Sequence, residues 1–121
     1  MVKPTGPTNP YLRKLIVYLE KASKRNNAPI WKYVAELLSK PRRKRVEVNL
    51  YKINRFANDG DQIIVPGKVL GVGEVNKKIV IAAWKFSKNA LNKLKDKAEI
   101  LSIEELVKRN PKGTNVKIII W

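Results

Sequence analysis

Four consecutive basic residues, Arg42, Arg43, Lys44 and Arg45, follow Pro41 in the middle of the chain. The planar guanidinium group of arginine donates paired hydrogen bonds to phosphate, and lysine adds a compact positive charge. A solvated loop that only keeps the protein soluble is the alternative interpretation of such a run. Because the segments on both sides have the patterns of folded elements, the run predicts a phosphate-binding surface on a folded domain.

The charge of the whole chain supports a polyanionic partner. The 121 residues include 26 Lys and Arg against 10 Asp and Glu, which gives a formal net charge of +16. Residues 1–55 contain 14 basic and 3 acidic residues, whereas residues 56–121 contain 12 and 7. Since 44% of the residues are hydrophobic, the charge covers a globule and does not mark a disordered polycation. Nucleic acid is the expected partner, with the amino-terminal half as its main binding face.

The chain lacks two of the residue types most often used in catalysis and transition-metal binding. Cys and His are both absent, which excludes disulfides, zinc sites of Cys and His, Cys nucleophiles and His acid–base chemistry. The acid pair Asp59/Asp61 lies in a turn signature, and Glu104/Glu105 lies at a helix start, where acids suit the helix dipole. We therefore expect no enzyme, no metal and no cofactor.

The glycine-rich segment 66–73 is the other candidate for phosphate chemistry. It matches neither a P-loop, which ends in Gly-Lys-Ser/Thr, nor the GxGxxG fingerprint. We interpret its glycines as permitting tight turns and close backbone approach, with Lys68 as a phosphate contact. Among the aromatic residues, Trp31 and Trp84 fit core positions, whereas Tyr11 and Tyr51 border basic residues and are better candidates for base stacking.

The kind of nucleic acid follows from the motifs that are missing. No RNA-recognition-motif aromatic signature, KH-domain GxxG, zinc finger or convincing helix-turn-helix occurs. The remaining possibility is that arms and loops of the protein recognise the shape and the phosphates of the nucleic acid. This mode is typical of the recognition of structured RNA. A basic chromatin-type DNA-binding protein is the alternative.

The apolar pattern predicts an α/β fold that positions these cations. Residues 1–10 are predicted to form an extended arm, and residues 11–40 two helices, the first capped by Asn9 or Thr8 before Pro10. Residues 41–121 alternate short strands and short helices, an irregular α/β layer, and the whole chain 1–121 is expected to be a single domain. The longest apolar run, 79–84, is far too short to span a membrane. No secretory signal is expected at the start.

Several local predictions belong to this second part. Asn49 is expected to cap a short helix with Phe56 inward, and Ser87 a helix with Leu91 inward. Pro66 and Gly67 are expected to break the strand that begins at Ile63. Ser102 has the capping-box spacing to Glu105.

Several segments, in this order and spacing, resemble one known family. They are Thr8-Asn9-Pro10, Ile30-Trp31, Pro41-Arg42-Arg43, Val48-Asn49-Leu50, Ile53-Asn54-Arg55, Pro66-Gly67-Lys68-Val69-Leu70-Gly71, Ala82-Ala83 with Phe86-Ser87, and Asn110-Pro111 with Gly113. The chain resembles the archaeal and eukaryotic large-subunit ribosomal protein family eighteen-e, which is related to bacterial large-subunit protein fifteen. The resemblance covers nearly the whole chain, and the short length is similar to archaeal members.

The resemblance implies a β-β-α superhelical core and a structural role in the large ribosomal subunit, bound to its rRNA. It implies a cytoplasmic, ribosome-bound location with neighbouring ribosomal proteins as partners, and no small-molecule substrate or homo-oligomer is expected. Together with the charge pattern, it gives the predicted RNA-binding residues: Lys3, Thr8, Asn9, Arg13, Lys14, Lys24, Arg25, Arg42, Arg43, Lys44, Arg45, Lys52, Arg55 and Lys68.

Overall fold

A computed structural model describes residues 9–40 and 46–120, and within these residues five strands form one parallel sheet. The helices are α1 (Pro10–Asn26), α2 (Pro29–Leu38), α3 (Leu50–Phe56), α4 (Lys88–Leu94) and α5 (Ile103–Arg109). The strands are β1 (Val46–Asn49), β2 (Gln62–Leu70), β3 (Ile79–Phe86), β4 (Ala98–Ser102) and β5 (Val116–Ile118). The predicted α/β class, with two helices before the strand-rich part, is confirmed.

Helix α1 begins and ends where its sequence predicts. The side chain of Asn9 accepts hydrogen bonds from the backbone N–H groups of Tyr11 and Leu12, while Pro10 occupies the first turn, where its missing N–H has no consequence. The helix ends at Asn27, whose φ of 50° places it in the left-handed region that asparagine tolerates. The apolar stripe of α1 is buried and the opposite face carries its cations.

The sheet order is β1-β2-β3-β4, and β5 pairs with the amino-terminal half of β2. Strand β1 pairs with the carboxyl-terminal half of β2, so β1 and β5 follow one another along the same edge. Between Val65 and Lys68 the register with β3 shifts by one residue, which is a β-bulge at Pro66 and Gly67. The predicted break was therefore wrong, because the bulge accommodates Pro66 and β2 continues to Leu70.

The sheet is covered on both faces. On one face, Ile64, Ala82 and Leu101 pack against buried residues of α1, α2 and α5. On the other, Ile63, Val65 and Ile81 belong to a second cluster with buried residues of α3 and α4. Alternating strand residues thus supply two cores, and α1 and α3 lie in opposite layers.

The short helices α3 and α4 depart from the predicted burial. Phe56 and Leu91 are 50% and 40% exposed, because Phe56 is the last residue of α3 and the buried side of α4 consists of Ala90 and Leu94. The predictions that both side chains point inward were therefore wrong.

The predicted caps have mixed outcomes. Asn49 occupies the N-cap position of α3, but its side chain accepts from Val72 N–H at 3.2 Å, so it makes no capping hydrogen bond. Ser87 caps α4 as predicted, and the capping box of α5 is complete.

The glycine-rich segment is held by close backbone contacts, as predicted. A Cβ at Gly67 would clash with the carbonyl oxygen of Val46 on β1, and one at Gly71 would lie 2.5 Å from Cβ of Asn89. Gly73 has a φ of +93° against the backbone of Tyr51. These glycines serve packing.

An ion pair near the amino end of the sheet gives a pH prediction. The Asp61 carboxylate accepts from Lys117 Nζ and from Asn58 N–H, both at 2.8 Å, and these contacts, the lysine first, hold its pKa below the ordinary value of 3.8. The ion pair's contribution to the free energy of unfolding is present above the unfolded pKa and is lost as pH falls through the folded pKa.

We therefore expect wild type to be more stable than Asp61→Asn near neutral pH, with the difference shrinking as the pH falls below 3.8 and through the lowered pKa of Asp61. Thermal midpoints measured down the acid range check this. Asp96→Asn, at an exposed acid without an ion pair among the described residues, is the control and should show no such convergence. A constant difference between wild type and Asp61→Asn at all pH values would contradict the assignment.

Candidate nucleic-acid interface

Several cations of the sheet half already have intramolecular partners. Lys77 Nζ donates to the carbonyl oxygens of Asn54 and Ala57, both at 2.6 Å, and so satisfies the carboxyl end of α3. Lys93 Nζ donates to the carbonyl oxygens of Gly71 and Gly73 at 2.8 and 2.9 Å. These lysines hold backbone in place and are less available to an external anion.

Acidic side chains occupy other cations of the same half. Arg109 donates to both carboxylate oxygens of Glu99 at 2.9 and 2.6 Å, which lowers the pKa of Glu99 and raises the pKa of Arg109. Lys97 lies 3.5 Å from Glu74. Such exposed pairs add little to stability, but they neutralise charge locally.

Helix α1 presents its cations differently. The helical spacing places three cations on nearly the same side of the helix: Lys14, Lys21 and Arg25. The other flank of the exposed face carries Arg13 and Lys24. All are exposed. Lys14, Lys21, Lys24 and Arg25 have no ion pair or side-chain hydrogen bond to any residue that the structure describes. Their charge is therefore available to a partner.

The carboxyl ends of α1 and α5 form a cation-lined cavity of about 230 Å³. Its positive groups are Lys21 and Arg25 from α1 and Lys108 from α5, and Tyr18 and Asn26 add polar groups. No acidic residue of the described ranges lines this cavity. A concave site with three cations suits a phosphate group, because each cation can donate to a different oxygen. We call this the cationic cavity.

The amino ends of the same two helices enclose a second, smaller cavity. It has a volume of about 210 Å³ and includes Tyr11 and Lys14 of α1, Trp84 of β3, and Ser102 and Glu104 at the start of α5. Helices α1 and α5 therefore lie side by side, start beside start and end beside end. The groove between them, which we call the α1–α5 seam, has a cavity at each end.

The structure does not bring all the predicted RNA-binding residues together. Lys52 and Arg55 lie on α3 in the opposite layer, and the Arg55 guanidinium sits 5.6 Å from the centre of the Phe56 ring. Lys68 is exposed on β2, in register with Glu47 of β1 and Lys85 of β3. The side-chain oxygen of Asn9 is occupied as the cap of α1. The predictions for Lys3, Thr8 and Arg42–Arg45 fall outside the described residues.

Two residues of the cationic cavity were missed by sequence reasoning. Lys21 shares the helical row of Lys14 and Arg25, so its spacing alone could have included it. Lys108 is brought to α1 only by the tertiary fold, and no local pattern marks it.

The acidic residues provide structure in this fold. Besides the Asp61 contacts, Asp59 Oδ1 accepts from Lys78 N–H at 2.8 Å, and Glu105 closes the capping box of α5. Among residues 9–40 and 46–120, no three acidic side chains cluster as a metal site would require. Within the same residues, every helix is too short or too polar to cross a membrane.

Fold and surface together describe a basic parallel α/β domain with a cation-rich helical face. The family model described as the ribosomal proteins 50S-L15, 50S-L18e and 60S-L27a matches residues 26–98. The chain belongs to this family of ribosomal proteins.

Curated relatives match along nearly their whole length. The chain is similar to the large ribosomal subunit protein eL18 of Pyrobaculum aerophilum, with 51% identity over 118 residues that cover 97% of both chains. It is 53% identical to eL18 of Nanoarchaeum equitans over 124 residues, which cover 99% of this chain and 100% of that protein. It is 48% identical to eL18 of Methanopyrus kandleri over 122 residues, 96% of both. The resemblance inferred from the motifs is confirmed.

Proposed function

We propose that this protein is a structural constituent of the large ribosomal subunit that binds and stabilises folded rRNA through phosphate contacts. It performs no catalytic step and needs no cofactor. The names of its relatives, which are large-subunit proteins, support the assignment to that subunit. A cytoplasmic, ribosome-bound location and contacts with neighbouring ribosomal proteins follow from the same assignment.

The single observation that carries the proposal is the uneven pairing of the cations. On α1, cations without intramolecular partners crowd one exposed face, and a monomer carries that repulsion only at a cost in stability. Phosphate groups would remove the cost by neutralising the face. In the sheet half, by contrast, carbonyl groups and carboxylates hold Lys77, Lys93, Lys97, Arg109 and Lys117, and exposed lysines without an ion pair among the described residues, such as Lys78 and Lys88, belong to separate segments.

The binding residues divide into three groups by position. A second described group is Lys68, which is exposed on β2, and the basic run Arg42–Arg45, which lies outside the described residues, is proposed from its charge alone. Lys52 and Arg55 on α3 form a third group that faces a different part of the rRNA, because α3 lies in the opposite layer. The main group lies on α1 and along the seam, and consists of Asn9, Arg13, Lys14, Lys21, Lys24, Arg25 and Lys108. Lys3 and Thr8 lie outside the described residues and are proposed from the sequence alone.

Phosphate contacts give affinity without base preference, so the shape of the folded rRNA supplies the discrimination. Cations on both sides of the sheet match an irregular RNA fold better than a straight duplex. We therefore expect tighter binding to folded large-subunit rRNA fragments than to duplex DNA of equal length at the same salt concentration. Competition between the two, followed by filter binding with the full chain, tests this. Equal or tighter binding to the DNA would contradict the proposal and favour a chromatin-type role.

A further inference from the structure

The cavity at the amino end of the α1–α5 seam has a different chemistry from the cationic cavity. Tyr11, at the start of α1, is 73% exposed. An aromatic residue therefore occupies a surface position that a polar residue could also fill. Trp84 is half-buried, and Lys85 Nζ lies 5.7 Å from the centre of its ring. Two aromatic rings beside a lysine are the combination on which unpaired bases stack in RNA-binding proteins.

The two acids at the start of α5 have separate roles. Glu105 accepts from Ser102 N–H at 2.8 Å, and Ser102 Oγ accepts from Glu105 N–H at 3.2 Å, so this pair fixes the rim of the cavity. Glu104 also lines the cavity but has no hydrogen bond or ion pair to any residue in the described ranges. An unpaired carboxylate in a strongly basic, RNA-facing region repels phosphate, yet it can accept from the amino group of a base.

The size of the cavity limits what it can hold. Its volume of about 210 Å³ is below the roughly 300–1,000 Å³ of pockets for drug-sized ligands. A single planar ring system fits that size better than a complete nucleotide or a coenzyme. Lys14 at the same cavity can hold the attached phosphate.

We propose that this cavity receives one unstacked RNA base that carries an exocyclic amino group. Tyr11 and Trp84 stack on the base, Glu104 accepts a hydrogen bond from its amino group, and Lys14 contacts the neighbouring phosphate. The inference rests on the proposed rRNA binding and deepens it, because it adds a base-reading position to a surface that otherwise reads phosphate and shape.

The test compares oligoadenylate with an abasic oligomer of the same backbone, using the full chain. We expect oligoadenylate to bind about tenfold more tightly, in line with the stacking of one base. Tyr11→Leu should abolish the preference while leaving the affinity for the abasic oligomer unchanged. Tyr33→Leu is the matched control, since Tyr33 is an exposed tyrosine on α2 outside this cavity, and it should retain the preference.

Glu104 gives a second test in which the sign of the effect decides. If Glu104 accepts from a base, Glu104→Ala, which removes the acceptor, weakens oligoadenylate binding several-fold, whereas the control Glu36→Ala leaves it unchanged or slightly tighter. Tighter binding by Glu104→Ala would contradict the hydrogen bond. The proposed base pocket would be contradicted if the wild-type protein showed no preference for oligoadenylate, or if the Tyr11→Leu variant kept that preference. If the protein still bound rRNA fragments under any of these outcomes, the proposed function would stand. If it did not bind rRNA at all, both the proposed function and the base pocket would be contradicted.

Discussion

Trp31→Ala is expected to lower the free energy of unfolding by about 3–5 kcal/mol, the usual cost of truncating a buried tryptophan. Trp31 is fully buried, and its Nε1–H donates to the carbonyl oxygen of Pro111 at 2.7 Å. The same loop approaches α2 at Gly113, where a Cβ would clash with Ile30. The side chain thus fills the core beneath α2 and joins that helix to the loop between α5 and β5. Its loss should remove a large fraction of a total stability of roughly 5–15 kcal/mol.

Chemical denaturation with matched variants measures this effect. Trp31→Phe keeps most of the packing but leaves the Pro111 carbonyl without its donor, so we expect an intermediate loss. Tyr33→Ala, two residues away on the exposed side of α2, should change stability by less than about 0.5 kcal/mol. A Trp31→Ala protein as stable as the Tyr33→Ala protein would show that this contact does not hold α2 to the loop.

The second large effect concerns RNA affinity. Replacing Lys21, Arg25 and Lys108 together by Gln is expected to weaken binding to folded large-subunit rRNA about 100- to 1,000-fold. Because these side chains are exposed and solvent screens their charge, each phosphate contact is expected to contribute about 1–1.4 kcal/mol, and the three together about 3–4 kcal/mol. Because none of the three has an ion pair among the described residues, the thermal midpoint should stay the same or rise slightly as self-repulsion falls.

A charge-matched control separates location from net charge. Lys78, Lys88 and Lys95 are exposed, lie outside the seam and have no ion pair in the described part of the chain. Replacing these three by Gln removes the same charge, and we expect at most a few-fold weaker binding. Equal losses in the two triple variants would mean that only total charge matters and that the cationic cavity has no special role.

Local signals in the sequence predicted much of the fold. Asn9 with Pro10, Ser87, and Ser102 with Glu105 start their helices as expected, because capping depends on residues within one turn. The predictions about Phe56 and Leu91 were wrong because helices of two turns do not fix which side meets the sheet. The bulge at Pro66 and Gly67 was also missed, since pairing with strands on both sides overrides the local tendency of proline to interrupt a strand.

Only part of the candidate site could be predicted from the sequence. Composition and the spacing along α1 indicate a basic helical face, and Arg13, Lys14, Lys24 and Arg25 follow from them. The contribution of Lys108 and the meeting of Tyr11 with Glu104 depend on α5 packing beside α1, and the meeting of Tyr11 with Trp84 depends on α1 packing near β3. These residues are far apart in the sequence. The role of Arg42–Arg45 stays a prediction.

The salt dependence of rRNA affinity tests the central claim most directly, because displaced counterions report the number of phosphate contacts. Log affinity should fall linearly with log salt concentration for the wild-type protein. The slope should become shallower by roughly one unit for each contact removed, so by up to about three units in the variant lacking Lys21, Arg25 and Lys108. The Lys78, Lys88 and Lys95 variant should keep the wild-type slope. Identical slopes for all three proteins would contradict phosphate binding by the α1–α5 seam.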